Sequence, residues 1–95
     1  MTATDTRLRT RLAYLIHQGC VELRNLAYDR APHEQIADLS DALEILPRYF
    51  DREDGPTEED WEMVRSIAGG YASRYPDSGA YLTRCLDADP PRWHS

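Results

Sequence analysis

Apolar residues recur at intervals of three and four along most of this 95-residue chain, and prolines interrupt the pattern at a few positions. This spacing places side chains on one face of an α-helix, so it predicts a series of amphipathic helices. A proline inside a helix removes a backbone hydrogen bond and clashes with the preceding turn, which makes Pro47 and Pro76 expected helix ends. We therefore expect an all-α fold, a single small up-and-down bundle of three long helices plus a short C-terminal helix.

Local termination signals set the expected boundaries of these helices. Pro32 suits a first helical position, where its missing N–H has no partner to lose. Thr57 and Asp60 have the spacing of a capping box, and Asp77 or Ser78 can cap the fourth helix. The expected elements, four helices and an extended tail within one domain, are approximately residues 5–29, 32–46, 58–75, 78–87 and 88–95.

Each expected helix has an apolar stripe that can enter a common core. The stripes are, in chain order, Leu8, Leu12, Leu15, Ile16, Gly19, Leu23 and Leu26; Ile36, Leu39, Leu43, Leu46 and Phe50; Trp61, Val64, Ala68, Tyr71 and Tyr75; and Tyr81, Leu82, Cys85 and Leu86. Gly69 and Gly70 lie on the far side of the third helix and weaken it by about 2 kcal/mol relative to two alanines. They indicate either a close approach by another group or a helix that is simply weak.

The charge of the chain is concentrated in its middle third. Residues 31–62 carry eleven Asp and Glu against two arginines, a net charge of −9, whereas the whole chain carries −6. Affinity for nucleic acid comes mainly from basic side chains that displace counterions from phosphates, so this segment argues against a nucleic-acid ligand. It favours a basic protein partner, unless it serves only to keep a small protein soluble.

The acidic back of the second helix and the acidic segment after it form the candidate partner-binding surface. Opposite charge would speed association, and an aromatic anchor such as Tyr49 or Trp61 would hold the complex. The candidate residues are Glu34, Asp38, Asp41, Glu44, Tyr49, Asp51, Glu53, Asp54, Glu58 and Glu59.

A second stripe follows another side of the first helix. Tyr14, Val21 and Tyr28 are seven residues apart, with His17 and Arg24 beside them. Two interpretations are open. Either the helix buries two faces between its neighbours, or the stripe is a contact surface for a partner or a second copy of the chain, since Tyr and Arg are enriched at interfaces.

The sequence shows no arrangement typical of catalysis, cofactor binding or metal binding. No Ser or Cys accompanies a base and a glycine-rich turn, and no phosphate-binding or dinucleotide fingerprint occurs. The three histidines, His17, His33 and His94, lack the spacings that aim two imidazoles at one ion. We expect no enzyme activity, no cofactor and no metal.

The N-terminal segment MTATDTRLRTRLAYLIHQGC lacks the uninterrupted apolar region of a signal peptide, because three arginines punctuate it. No window approaches the ~20 apolar residues that span a bilayer. We therefore expect a cytoplasmic protein without membrane contact, in which Cys20 and Cys85 are reduced and act as small hydrophobic residues.

Three segments resemble, in order, a family of small bacterial all-helical proteins of unassigned function. The segments are ELRNLAYD, EQIADLSDALEILP and YASRYPDSGAYLTRCLD, which cover much of residues 22–87. The family pattern has an Arg-Leu-Ala helix, a QIADLADAxHNLP helix, a YxxKYP end and a terminal YLxxLD. This chain departs from it at Glu44 and Ile45, where the pattern has His-Asn, so no role of that imidazole or amide carries over.

The resemblance implies an all-helical single domain in a bacterial cytoplasm, and it loosely associates the chain with proteins that neutralise toxins. With the −9 segment, it favours a non-enzymatic protein-binding module, an immunity-type inhibitor that neutralises a cognate basic toxin through its acidic helical face. The alternative is a homodimeric structural or regulatory accessory protein that uses the stripe of Tyr14, Val21 and Tyr28.

Overall fold

Four α-helices and one 3-10 helix account for most of the described chain. The computed structural model describes residues 3–50 and 56–87, with side chains from Leu8 to Phe50 and from Pro56 to Leu86. The elements are α1 (Ala3–Tyr28), α2 (His33–Ile45), the 3-10 helix (Leu46–Phe50), α3 (Glu58–Arg74) and α4 (Pro76–Asp87). No strand occurs among the described residues, so the expected all-α class is confirmed. The predicted tail, residues 88–95, lies outside them.

α2 ends where Pro47 predicts. The α-helix stops at Ile45, and the chain continues as the 3-10 helix that contains Pro47. Proline lacks the N–H that another α-helical turn requires at that position. Tyr49 and Phe50 at the end of the 3-10 helix fold back and pack against the core. Arg9 of α1 lies 5.1 Å from the centre of the Phe50 ring, which ties this turn to α1.

Three helices start one or two residues away from their predicted positions, α1 at Ala3 and the other two beside or at prolines. Pro32 is the N-cap of α2 and not its first helical residue, and its carbonyl accepts from the N–H groups of Gln35 and Ile36. α4 begins at Pro76 and not near Ser78, because a proline at the first helical position loses no hydrogen bond. α2 and α4 are therefore nearly equal in length, with 13 and 12 residues.

A capping box starts α3, as the spacing of Thr57 and Asp60 predicts. The Asp60 N–H donates to Thr57 Oγ1 at 3.1 Å, and the Thr57 N–H donates to Asp60 Oδ2 at 3.1 Å. These bonds satisfy backbone donors that the start of a helix leaves unpaired. Asp60 is only 4% exposed, so this carboxylate lies at the edge of the core and adds nothing to the acidic surface.

The predicted apolar stripes meet in one core. Its buried members are Leu8, Leu12, Leu15, Leu26, Leu39, Leu46, Trp61, Val64, Ala68, Tyr71, Leu82, Cys85 and Leu86. Half-buried members of the same stripes surround them, namely Ile16, Leu23, Ile36, Leu43, Phe50, Tyr75 and Tyr81. Each helix therefore turns toward the core the face that its 3.6-residue period predicts, which confirms the prediction.

Two glycines mark close approaches between helices. The single residue Tyr75 connects α3 to α4, and a Cβ atom added at Gly79 of α4 would overlap the backbone of Ala72 in α3. At Gly19 of α1 an added Cβ would instead meet the end of the Leu43 side chain. Ala72 presents rigid backbone to position 79, whereas Leu43 presents a flexible side chain to position 19. A larger residue should therefore be tolerated less well at position 79 than at position 19.

α1 and α4 run in opposite directions. Between α1 and α4, Ser78 bonds to Glu22 and Tyr81 bonds to Gln18, so rising residue numbers in one helix meet falling numbers in the other. Between α2 and α3, Asp38 contacts Arg74, so the first half of α2 lies beside the end of α3. This arrangement brings the start of α2, the end of α3 and the start of α4 to one end of the fold.

Candidate functional site

A polar cluster forms where the start of α2 meets the end of α3. The Tyr75 hydroxyl donates to Asp38 Oδ2 at 2.7 Å, and Arg74 Nη1 lies 2.9 Å from the same oxygen. Arg74 Nη2 also reaches Glu34 Oε1 at 3.2 Å. The Asp38 side chain is only 25% exposed, so two residues of α3 hold this carboxylate within the fold.

The hydrogen bond to Asp38 raises the pKa of Tyr75 above its ordinary value of 10.0. Ionisation of Tyr75 would place a phenolate against a carboxylate, and desolvation of the hydroxyl acts in the same direction. The nearby Arg74 guanidinium lowers the pKa and offsets only part of this rise. The neutral phenol is therefore the form that stabilises the contact between α2 and α3.

We expect the free energy of unfolding to fall as the pH rises above about 10. There the unfolded chain releases the Tyr75 proton while the folded chain retains it, so high pH favours the unfolded chain. Tyr75→Phe should make this fall less steep, because it removes the hydroxyl whose pKa is raised. Urea titrations of the two proteins at several pH values measure the slopes. Equal slopes for Tyr75→Phe and the parent chain would contradict the assignment.

A chain of hydrogen bonds joins one residue from each α-helix. Gln35 Nε2 donates to Tyr71 Oη at 3.3 Å, and the Tyr71 and Ser78 hydroxyls lie 2.9 Å apart. Ser78 Oγ in turn donates to Glu22 Oε1 at 3.2 Å. Tyr71 is only 5% exposed, so these bonds satisfy a hydroxyl inside the fold. Spacing along the sequence does not reveal the network, because Tyr71 fits an apolar stripe and Ser78 fits a helix cap.

An open groove lies between α2 and α3, beside the polar cluster. Its volume is about 440 Å³, and Asp38 and Arg74 line one end. Its apolar lining includes Ala42, Ile45 and Ile67, and Ile45 is 38% exposed. The groove therefore offers apolar surface to a partner, next to carboxylates on α2.

The two adjacent glycines of α3 differ in their position relative to this groove. Gly70 lines it and Gly69 does not. A Cβ atom at either position would meet nothing within 4 Å, so no other part of the described chain approaches them closely. The interpretation of a close approach therefore finds no support among the described residues. The two glycines weaken α3 and have no packing role there.

Five of the predicted acidic residues form an exposed set. Asp41 and Glu44 lie on the outer side of α2, and Glu58 and Glu59 lie in the first turn of α3. The Glu34 side chain is 76% exposed although it is bonded to Arg74. We call these five residues the acidic surface. It is smaller than the predicted set.

The other predicted partner-binding residues are held in the fold or lie outside the described chain. Asp38 does not belong to the open acidic back of α2, because Arg74 and Tyr75 occupy its carboxylate. Tyr49 is half buried against the core and Trp61 is only 3% exposed, so neither ring is an open anchor. The residues outside the described chain are Asp51, Glu53 and Asp54.

The second stripe of α1 divides between core and surface. Tyr14 is half buried and packs against the core, and Val21 is half buried. His17 and Arg24 are exposed, and Tyr28 is 78% exposed. The interpretation that α1 buries two faces therefore holds for Tyr14. A contact surface stays open as an interpretation for the part around Arg24 and Tyr28.

Candidate metal ligands do not cluster in the described chain. In residues 3–50 and 56–87, no group of three His, Cys, Asp or Glu side chains could hold a metal ion. Both cysteines are free, with Cys20 exposed and Cys85 buried. Burial raises the pKa of the Cys85 thiol, which keeps it protonated and unreactive. Over the same residues, no helix combines the length and the apolar character that a membrane crossing requires.

No protein-family model matches the chain, and neither a curated protein nor a solved structure shows significant similarity to it. The family resemblance of the segments between residues 22 and 87 therefore stays a prediction.

Proposed function

We propose that this chain is a non-enzymatic protein-binding module, an up-and-down bundle whose acidic surface binds a basic protein. The observation that carries the proposal is the charge of α2, which has four carboxylates and no Lys or Arg. Only Asp38 among the four is drawn into the fold, and the other three stay exposed. Exposed charge of one sign raises the rate at which a protein meets a partner of opposite charge.

The partner that best fits this surface is a toxin with a basic active site, which an immunity-type inhibitor would neutralise by covering it. A basic cleft that binds a nucleic-acid phosphate backbone would attract a carboxylate surface in the same way. The core and the hydrogen-bonded network hold α1 to α4 together, so the surface is presented on a preorganised support. Such a protein acts by binding alone and requires no catalytic group of its own.

The test starts with capture of a partner. Tagged chain is mixed with lysate of its own host at low salt, bound proteins are identified by mass spectrometry, and the partner is purified. Association rates are then measured for Asp41→Asn combined with Glu44→Gln. We expect rates roughly three- to tenfold lower than for the parent chain at low salt, and a smaller difference at high salt.

The control is Asp29→Asn combined with Asp77→Asn, which removes two exposed carboxylates elsewhere on the chain. It changes the net charge by the same amount and should slow association much less. Equal effects of the two pairs, or a captured partner without a basic surface, would contradict the proposal. Recovery of only untagged copies of the chain would favour the second candidate, a homodimeric accessory protein that associates through exposed Tyr28 and Arg24.

A further inference from the structure

One residue without a side chain lines the groove between α2 and α3. Gly70 lines it, and a Cβ atom there would meet nothing within 4 Å, so any larger side chain would project into the groove. Glycine in the interior of a helix is unfavourable relative to alanine. Because no neighbour in the described chain occupies the space at Gly70, that space is open to a group from outside.

The lining of the groove determines the kind of group that fits. Ala42, Ile45 and Ile67 supply apolar surface, and Ile45 is 38% exposed. Met63 is 53% exposed and precedes Ile67 by one turn on the same side of α3, which extends the apolar surface. An aliphatic side chain would remove this surface from water on binding.

The surroundings of the groove determine the charge of the occupant. Asp41 is exposed on α2 beside the groove residue Ala42, and Glu59 is exposed one turn before Met63 on α3. Arg74 at one end is already paired with Asp38 and Glu34. An occupant that carries Lys or Arg beside its apolar residues would pair with these carboxylates, whereas a second copy of acidic α2 would be repelled.

The length of the groove indicates the form of the occupant. It runs along α2 from Asp38 to Ile45, about two helical turns or ~10 Å. Two side chains that are one helical turn apart fit within this length. An amphipathic helix that binds in a groove inserts side chains at such a spacing. We propose, on the basis of the proposed function, that the groove receives aliphatic side chains of a basic amphipathic helix of the partner protein.

The test uses a defined probe. An amidated helical peptide of about 18 residues carries leucine at every third or fourth position and lysine elsewhere, and a matched peptide has alanine in place of leucine. Binding is followed by titration into isotope-labelled chain, with the backbone signals of Ala42, Ile45, Ile67 and Gly70 as the readout. We expect the leucine peptide to shift these signals and to bind at least about tenfold more tightly than the alanine peptide.

The decisive variants are Gly70→Leu and Gly69→Leu. Both replace an exposed helical glycine by a residue of higher helix propensity, so both should fold. Only the first fills the groove, and we expect it to weaken binding of the leucine peptide by about tenfold or more. Gly69→Leu should change binding by no more than about twofold.

The outcomes separate this inference from the proposed function. If Gly70→Leu binds the peptide as well as the parent chain while Asp41→Asn with Glu44→Gln binds it poorly, the peptide is held by charge alone. The groove inference then fails and the acidic surface stands. If Gly70→Leu abolishes binding and the charge variants do not affect it, the groove stands and the acidic surface fails. Absence of binding to the parent chain up to about 1 mM would overturn the groove inference.

Discussion

Gly79→Ala should lower the free energy of unfolding by about 3 kcal/mol or prevent folding altogether. A Cβ atom at position 79 would overlap Cα and Cβ of Ala72, which belong to the facing helix. Tyr75 alone connects α3 to α4, so the two helices cannot separate at this point without shifting along much of their contact. The gain of about 1 kcal/mol in helix propensity is smaller than this cost.

Gly69→Ala is the matched control for this substitution. It makes the same chemical change within a helix, but a Cβ atom at position 69 would meet nothing within 4 Å. We expect it to raise the free energy of unfolding by about 1 kcal/mol. Urea denaturation followed by circular dichroism measures both variants. A Gly79→Ala chain as stable as the Gly69→Ala chain would show that α3 and α4 pack less closely than described.

Leu39→Ala should lower the free energy of unfolding by about 2–5 kcal/mol. Leu39 has an exposed fraction of 0% and lies at the centre of the inward face of α2. It also lines a small apolar void of about 10 Å³, shared with residues of the other helices such as Leu15, Ala68 and Leu82. Removal of its isobutyl group would enlarge this void, and an apolar cavity is not stabilised by water.

Ile45→Ala is the control for Leu39→Ala within the same helix. Ile45 is 38% exposed and faces the groove, so its truncation removes less buried surface and leaves no closed cavity. We expect a loss of less than about 1.5 kcal/mol, measured in the same urea titrations. Similar losses for the two variants would mean that α2 is rotated about its axis relative to the described arrangement.

The helices and their inward faces could be predicted because they depend on neighbours in the sequence. The capping box of Thr57 and Asp60 joins residues three apart, and Pro47 acts on the helical turn just before it. The starts at Pro32 and Pro76 differ by one or two residues from their predictions, because proline is accepted both at an N-cap and at the first helical position.

The candidate site was less predictable, because its members come from different helices. The carboxylates of α2 look equivalent in the sequence, yet Asp38 is bonded to Arg74 and Tyr75 of α3 while Asp41 is exposed. The packing of α3 beside α2 determines which of the α2 carboxylates remain exposed. The groove likewise depends on tertiary structure, because Gly70 of α3 lines it together with Ala42 and Ile45 of α2.

Patterns within the chain were enough to specify the all-α class, the apolar stripes, the capping box and the end of α2, because hydrogen bonding and helical periodicity act over a few residues. Helix packing, in contrast, places Gly79 against Ala72, lets Ser78 join Tyr71 to Glu22, and sets which carboxylates stay exposed. These contacts join residues of separate helices, and Ser78 and Glu22 are 56 residues apart in the sequence. They are determined by how the helices pack, which local patterns do not encode.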